Sequence, residues 1–215
     1  MAHHRVWLFR GALDEVVPEA VADSLADDET LRVESGDLQR PASHGIPVES
    51  FASESRFPPR DCAEYAPPFV IECGYDAAGL LLRHLYPEGF LLGPLDSHAS
   101  GSLHAFDQTQ FFQPSESAGL SGVGYIYVPA ACQSHEYRLH VAFHGCRQNA
   151  DAQGRERVHD DFVRDAGYNR WAGATRIVVL YPQATEAAAT PRSAGTSGAT
   201  AATAGEQARA CRFAP

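Results

Sequence analysis

Residues 138–148 have the sequence Arg-Leu-His-Val-Ala-Phe-His-Gly-Cys-Arg-Gln, an apolar run that ends in a His-Gly turn. Two further apolar runs, Tyr-Ile-Tyr-Val-Pro at 125–129 and Arg-Ile-Val-Val-Leu-Tyr-Pro at 176–182, lie on either side of it. All three are rich in β-branched and aromatic residues, which favours strands, and the stretch near 158–172 has the character of a helix. Apolar strands that alternate with helices are typical of a mostly parallel sheet covered by helices on both faces. The sequence therefore predicts an α/β fold.

The N-terminal part of the chain continues this alternation. Residues 5–9, Arg-Val-Trp-Leu-Phe, predict a buried strand, and 19–30 predict a helix. Residues 76–86 predict an apolar helix with Asp76 as its N-cap. Between these helices, 32–68 is polar and rich in Pro and Ser, and we expect it to be mostly loop.

Length and charge limit the classes of function. A chain of 215 residues with 44% hydrophobic residues is long enough for one sizeable core, so a single domain is expected. Asp and Glu outnumber Lys and Arg by 27 to 17, and the net charge of -10 argues against binding to nucleic acid or to an anionic membrane surface. No apolar run approaches the roughly 20 residues of a membrane span, and the N-terminus lacks the pattern of a signal peptide. An uncharged or weakly charged substrate fits this composition better.

The chain has five cysteines, none of them in a Cys-x-x-Cys pair, so no zinc site is predicted. Cys62 and Cys73 bracket a Pro-rich turn and could close a short loop by a disulfide. Because the number of cysteines is odd, either one thiol has no disulfide partner in the chain or its partner cysteine has been lost. By cysteine content alone, a secreted protein with disulfides and a cytosolic protein with buried thiols both remain open.

Two polar loops follow the pattern of a catalytic acid and base. Asp14 lies in the turn that follows the predicted strand 5–9, and α/β folds place chemistry just beyond the carboxyl ends of strands. His44 lies some thirty residues later in the loop Ser-His-Gly-Ile-Pro, and an Asp followed by a His matches the order Ser, Asp, His of α/β hydrolases. Each has an ordinary alternative, since Asp14 could be a surface helix cap and His44 an exposed loop histidine.

The turn at His144, Gly145 and Cys146 is the most specific of the three signals. Hydrolases use a strand that ends in His-Gly to place a backbone N–H beside a developing oxyanion, and Gly permits the sharp turn. The amide of Cys146 is then the donor. The alternative is an ordinary strand-end turn that contains a Gly.

No nucleophile follows from the sequence. The α/β-hydrolase elbow is Gly-x-Ser-x-Gly between a strand and a helix. The nearest match, Gly-Leu-Ser-Gly-Val-Gly at 119–124, has the wrong spacing and leads into the strand 125–129. Ser197 lies in the stretch 193–204, which contains only Ser, Ala, Gly and Thr and is expected to be disordered. We reject both.

Five blocks of sequence, in order, resemble the short-chain-length polyhydroxyalkanoate depolymerases, and more narrowly the class whose α/β-hydrolase catalytic domain is circularly permuted. The resemblance runs from about residue 4 to about residue 192. The blocks are Cys-Gly-Tyr-Asp-Ala-Ala-Gly (73–79), Gly-Tyr-Ile-Tyr-Val-Pro (124–129), Leu-His-Val-Ala-Phe-His-Gly-Cys-Arg-Gln (139–148), Gly-Tyr-Asn-Arg-Trp-Ala (167–172) and Ile-Val-Val-Leu-Tyr-Pro-Gln (177–183).

The resemblance implies an extracellular or periplasmic serine esterase that hydrolyses poly(3-hydroxybutyrate)-type polyester or hydroxyalkanoate oligomers without a metal or organic cofactor. In such an enzyme Asp14 and His44 are the acid and base of the triad, and the amide of Cys146 is one oxyanion donor. The permutation explains why the His-Gly-Cys turn comes last in the chain.

The resemblance also implies two departures from the family pattern. The segment that bears the serine is expected before residue 1. At the other end, the family continues with a Cys-Trp-Asp-Trp-Trp-Gly-Tyr segment, and residues 193–200 come close to that segment read one base late. We therefore expect a partial catalytic domain over 1–192, without the nucleophile segment, and a disordered, out-of-frame tail over 193–215.

Two functions remain open. The first is a polyester depolymerase that belongs to the serine carboxylic-ester hydrolases. The second is an inactive fragment or pseudogene product, because loss of a triad serine removes covalent catalysis and leaves only the contribution of binding and the oxyanion hole.

Overall fold

The computed structural model describes residues 5–26, 32–35, 41–49, 58–86, 101–112, 119–130, 132, 137–150 and 158–185. The chain divides into two compact units, the first formed by 1–90 with 164–167 and the second by 91–163 with 168–215. The expected tail 193–215 lies outside the described residues, and the expected domain 1–192 stays a prediction.

The first unit contains two small parallel sheets. Strand β1 (Arg5–Leu8) pairs with β2 (Arg32–Ser35). In the other sheet, β5 (Val70–Glu72) lies between β3 (Ile46–Val48) and β4 (Arg60–Asp61). All strand pairs described in these two sheets are parallel.

The described part of the first unit also contains two helices, α1 (Glu19–Ala26) and α2 (Ala77–Leu85). The predicted N-cap of α2 is confirmed, because the carboxylate of Asp76 accepts a hydrogen bond from the N–H of Gly79 at 2.8 Å. The predicted helix 19–30 is confirmed as far as Ala26, and residues 27–30 lie outside the described residues. A buried cluster of Ala42, Cys62, Ile71 and Cys73, against which Phe9 and Tyr75 pack, forms a core of this unit.

The described part of 32–68 is mostly without helix or strand, as expected, but it also contains the three short strands β2, β3 and β4. These strands are only two to four residues long. They adopt strand structure because they pair with β1 and β5, and not because of their own composition. Pro47 within β3 is compatible with a strand because β3 lies at an edge of its sheet.

The second unit is built on one mixed sheet in the order β6-β7-β9-β8. The strands are β6 (Gly101–Asp107), β7 (Val123–Pro129), β8 (Arg138–Val141) and β9 (Ile177–Tyr181). The predicted strands at 125–129, 138–143 and 176–182 are confirmed as β7, β8 and β9, whereas β6 was not predicted. Because β7 pairs antiparallel with both β6 and β9, only the β8–β9 pair of this sheet is parallel. The α/β class is confirmed, with parallel and mixed sheets in place of one largely parallel sheet.

The predicted helix near 158–172 is two short helices, α3 (Asp161–Asp165) and α4 (Tyr168–Thr175). The break falls at Gly167, whose φ of +88° lies in the left-handed region that ends a helix. Helix α4 packs against β7 and β9, and Ile177, Val178 and Val179 of β9 are fully buried.

Candidate active site

Asp14 and His44 are hydrogen-bonded to each other. Oδ2 of Asp14 lies 2.8 Å from Nδ1 of His44, and the exposed fractions of the two side chains are 8% and 36%. A carboxylate can only accept, so Nδ1 of His44 is the donor and the neutral ring keeps Nε2 as an acceptor. This is the tautomer that a general base requires, and Nε2 makes no hydrogen bond to any residue within the described ranges.

Asp14 is itself fixed by its own turn. Its Oδ1 accepts hydrogen bonds from the N–H groups of Val16 and Val17, both at 2.9 Å. Partial burial would raise the pKa of Asp14, but the hydrogen bonds from Val17, His44 and Val16 outweigh it, and the pKa lies below its ordinary value. Asp14 is therefore an ionised acceptor at neutral pH, suited to orient His44 and to stabilise its protonated form.

A close backbone approach brings the two loops together. The N–H of Leu13 donates to the carbonyl of Ala42 at 2.8 Å. A Cβ atom at Gly11 would lie 2.2 Å from the carbonyl oxygen of Ala42 and 2.7 Å from that of Ser43, so only glycine fits there. Gly11 thus allows the turn of Asp14 to lie against the loop of His44.

The segment 62–73 holds the His44 loop by two hydrogen bonds. The N–H of Ser43 donates to the carbonyl of Cys62 at 2.9 Å, and the N–H of Ile46 donates to that of Phe69 at 3.0 Å. A disulfide joins Cys62 to Cys73 and closes the ends of this segment. The segment also carries Tyr65, whose ring meets that of His44 edge-on at a centroid distance of 5.9 Å.

A small cavity of about 150 Å³ opens beside the Asp14–His44 pair. Its lining combines apolar side chains with the pair and one cation: Phe9, Arg10, Gly11, Asp14, Val17, Ala22, His44 and Gly45. The cation, Arg10, is engaged by Glu19 at 2.8 Å.

Cys146 belongs to the second unit, in the turn that follows β8. The turn is closed by a hydrogen bond from the N–H of Gln148 to the carbonyl of Gly145 at 3.3 Å, and by one from the N–H of Gly145 to Oε1 of Gln148 at 2.8 Å. Cys146 is exposed, its thiol is free, and its N–H has no hydrogen-bond acceptor among the described residues. No described residue thus occupies the predicted oxyanion donor.

Buried glutamines support this turn, and no sequence pattern predicted their role. Oε1 of Gln183 accepts from the N–H of Ala150 at 2.9 Å. Nε2 of Gln108 donates to the carbonyls of Ser121 and Gln183 at 2.8 and 3.0 Å, which ties the end of β6 to the segment after β9. The burial of these glutamines can be explained only when their hydrogen-bond partners are known, because buried polar groups are normally hydrogen-bonded.

A nucleophile and a metal site are not evident in the described part of the chain. No hydroxyl or thiol group there hydrogen-bonds His44. Nor do three side chains of His, Cys, Asp or Glu come together in these ranges so as to hold a metal ion. No described helix is both long and apolar enough to cross a membrane.

The chain resembles two curated depolymerases in sequence, although no protein-family profile matches it. It is 33% identical over 197 residues to a poly(3-hydroxybutyrate) depolymerase of Delftia acidovorans, which covers 87% of this chain and 36% of that relative. It is 35% identical over 125 residues to a polyhydroxybutyrate depolymerase of Talaromyces funiculosus, which covers 57% of this chain and 34% of that relative. The chain thus spans about a third of the length of each.

Two solved structures resemble the fold. They are the PHB depolymerase from Penicillium funiculosum, with a TM-score of 0.66, and a serine-to-alanine variant of a PHB depolymerase complexed with an R3HB trimer, with a TM-score of 0.64. In each case the identity is 27%, and the match covers 85% of this chain and 55% of the solved one.

Proposed function

Because the chain belongs to the poly(3-hydroxybutyrate) depolymerase family, we propose that it acts in the hydrolysis of ester bonds in poly(3-hydroxybutyrate)-type polyesters and their oligomers. The observation that carries the proposal is the hydrogen bond between Asp14 and His44, which fixes the tautomer of a general base. The relatives are much longer than this chain, so the activity is proposed from the family and from this pair together.

In the reaction proposed for the intact enzyme, Nε2 of His44 takes the proton from a serine hydroxyl, which none of the described residues supplies, as the serine oxygen attacks the ester carbonyl. The imidazolium then gives the proton to the departing alkoxide, and a water molecule repeats both steps to release the acid. Asp14 stabilises the imidazolium, and the N–H of Cys146 is proposed as a donor to the tetrahedral oxyanion. The reaction requires no metal or organic cofactor.

The cavity beside His44 indicates the part of the substrate that this region takes. Its volume of about 150 Å³ is below the roughly 300–1,000 Å³ of pockets that hold drug-sized ligands. A cavity of this size suits one short acyl unit of a polyester, and the apolar part of its lining, Phe9, Val17 and Ala22, suits the hydrocarbon part of that unit. The net charge of -10 favours the same class of substrate.

An oxidising compartment is proposed for the protein. The disulfide between Cys62 and Cys73 supports this location, because disulfides are rare in reducing compartments. We therefore place the protein in the periplasm or outside the cell, as the family resemblance implies.

The test is hydrolysis of p-nitrophenyl butyrate and of an (R)-3-hydroxybutyrate trimer by the chain and by its His44→Ala variant. Loss of a general base should lower the rate about 100-fold or more. The matched control is His104→Ala, since His104 lies on β6 in the other unit and should leave the rate unchanged. A folded chain that turns over no faster than His44→Ala would contradict catalysis by this chain and support the non-catalytic alternative.

A further inference from the structure

His144 is a buried histidine whose two ring nitrogens both make hydrogen bonds. Its Nδ1 lies 2.7 Å from the carbonyl oxygen of Gly145, and its Nε2 accepts a hydrogen bond from the N–H of Ala184 at 2.9 Å. The residue is only 4% exposed, and its ring meets that of Phe162 edge-on at 6.4 Å. The site proposed above does not use this side chain.

These two contacts determine the tautomer of His144. The N–H of Ala184 can only donate, so Nε2 must carry a lone pair. The ring proton then lies on Nδ1 and is donated to the carbonyl of Gly145. Burial lowers the pKa of His144, which keeps the ring neutral and preserves both bonds.

The carbonyl of Gly145 and the N–H of Cys146 belong to the same peptide unit. In a planar trans peptide they point in opposite directions, so fixing one fixes the other. The carbonyl of Gly145 accepts from His144 and also from the N–H of Gln148. A hydrogen bond to the carbonyl also polarises the peptide and strengthens its N–H as a donor.

We propose that His144 is a positioning residue that fixes the orientation of the Gly145–Cys146 peptide, whose N–H is the proposed oxyanion donor. The oxyanion part of this statement rests on the proposed function, whereas the orientation of the peptide does not. Nε2 of His144 accepts the hydrogen bond from the N–H of Ala184. This contact fixes the orientation of the ring and connects the turn to the segment that follows β9.

The first test uses the unmodified chain and needs no activity. Long-range ¹H–¹⁵N correlation spectra distinguish the two neutral tautomers of a histidine ring. We expect His144 to be neutral and protonated on Nδ1 at pH 7.5. A ring protonated on Nε2 would overturn the proposal.

The second test compares His144→Asn with His144→Gln. The amide nitrogen of Asn can take the place of Nδ1 and donate to Gly145, whereas Gln places its amide near Nε2 and leaves the carbonyl without that donor. The backbone amide resonance of Cys146 should shift clearly in His144→Gln and stay close to its original position in His144→Asn. The alkylation rate of the Cys146 thiol by iodoacetamide should change severalfold in His144→Gln only.

The catalytic readout is separate. In ester hydrolysis His144→Gln should lower kcat about tenfold with KM little changed, and His144→Asn should restore most of kcat. If the chain hydrolyses no ester, the proposed function fails while the tautomer and the Cys146 resonance still test the orientation. Identical Cys146 resonances in all three proteins would overturn the positioning role.

Discussion

Asp14 uses its two carboxylate oxygens for two different purposes. Oδ1 accepts from the backbone of Val16 and Val17, which shapes the turn, and Oδ2 orients His44. The sequence placed Asp14 at the end of a strand but left open whether it was a cap or a catalytic acid. The structure shows that the carboxylate forms a turn and contacts the histidine at the same time.

Asp14→Asn should therefore lose stability in a way that depends on pH. The pKa of Asp14 is depressed in the folded protein, so its contribution to the free energy of unfolding is present above the ordinary value of 3.8 and is lost as pH falls through the folded pKa. We expect the variant to be about 1–2 kcal/mol less stable at pH 7, with the difference fading below about pH 4. Urea unfolding of the wild-type protein and the variant at pH 7, 5 and 3 measures this difference in the free energy of unfolding.

The matched control for Asp14→Asn is Glu15→Gln, an exposed carboxylate next along the chain. It should change stability little at any of these pH values. A difference between wild type and Asp14→Asn that grows towards acid pH would contradict the assigned charge state.

At the scale of elements, the loop that bears His44 depends on a segment closed by a disulfide. The bridge spans a sequence separation of 11 and fixes the ends of the segment 62–73. Carbonyl groups of this segment accept hydrogen bonds from the N–H groups of Ser43 and Ile46. The double variant Cys62→Ala/Cys73→Ala should lower the free energy of unfolding by about 2–3 kcal/mol, because the unfolded chain regains the entropy of an open loop. The midpoint of urea unfolding provides the measurement.

Cys146→Ala is the control for the disulfide variant, since its thiol is exposed and free. It should leave the midpoint unchanged. In the wild-type protein without reductant, iodoacetamide should modify Cys146 and spare Cys62 and Cys73. Equal stability of the double variant and the control would show that the bridge does not hold this loop.

Element prediction succeeded where the pattern was local and strong. The strands β7, β8 and β9 are continuous apolar runs, and α2 begins with a capping Asp. The short strands β3, β4 and β5 have too few residues for a periodic signal, and they become strands by pairing with each other. A window that covers only neighbouring residues contains no information on such partners.

At the scale of the whole molecule, the formal charge of -10 should affect the choice of substrate. An (R)-3-hydroxybutyrate trimer with a free carboxylate is repelled by a negative protein, and added salt screens this repulsion. We expect kcat/KM for the anionic trimer to rise about threefold between about 10 and 200 mM ionic strength. Steady-state rates at several salt concentrations measure the effect.

The methyl ester of the same trimer is the matched neutral substrate, and its kcat/KM should stay nearly constant with salt. If the rate for the anionic trimer falls with salt, a local cation recognises the carboxylate. Arg10, which lines the cavity and is engaged by Glu19, would then be the first residue to change.

The sequence by itself determined the α/β class, the main strands and the three turns at Asp14, His44 and Cys146, because apolar runs and turn residues act locally. Only the tertiary structure decided that Asp14 and His44 form a pair and that the carbonyl of Gly145 is held by His144. It also decided the tautomer of His144, through an N–H that lies 40 residues away in the chain. Hydrogen bonds between distant segments depend on how strands pair and loops approach, and composition near either partner does not specify them.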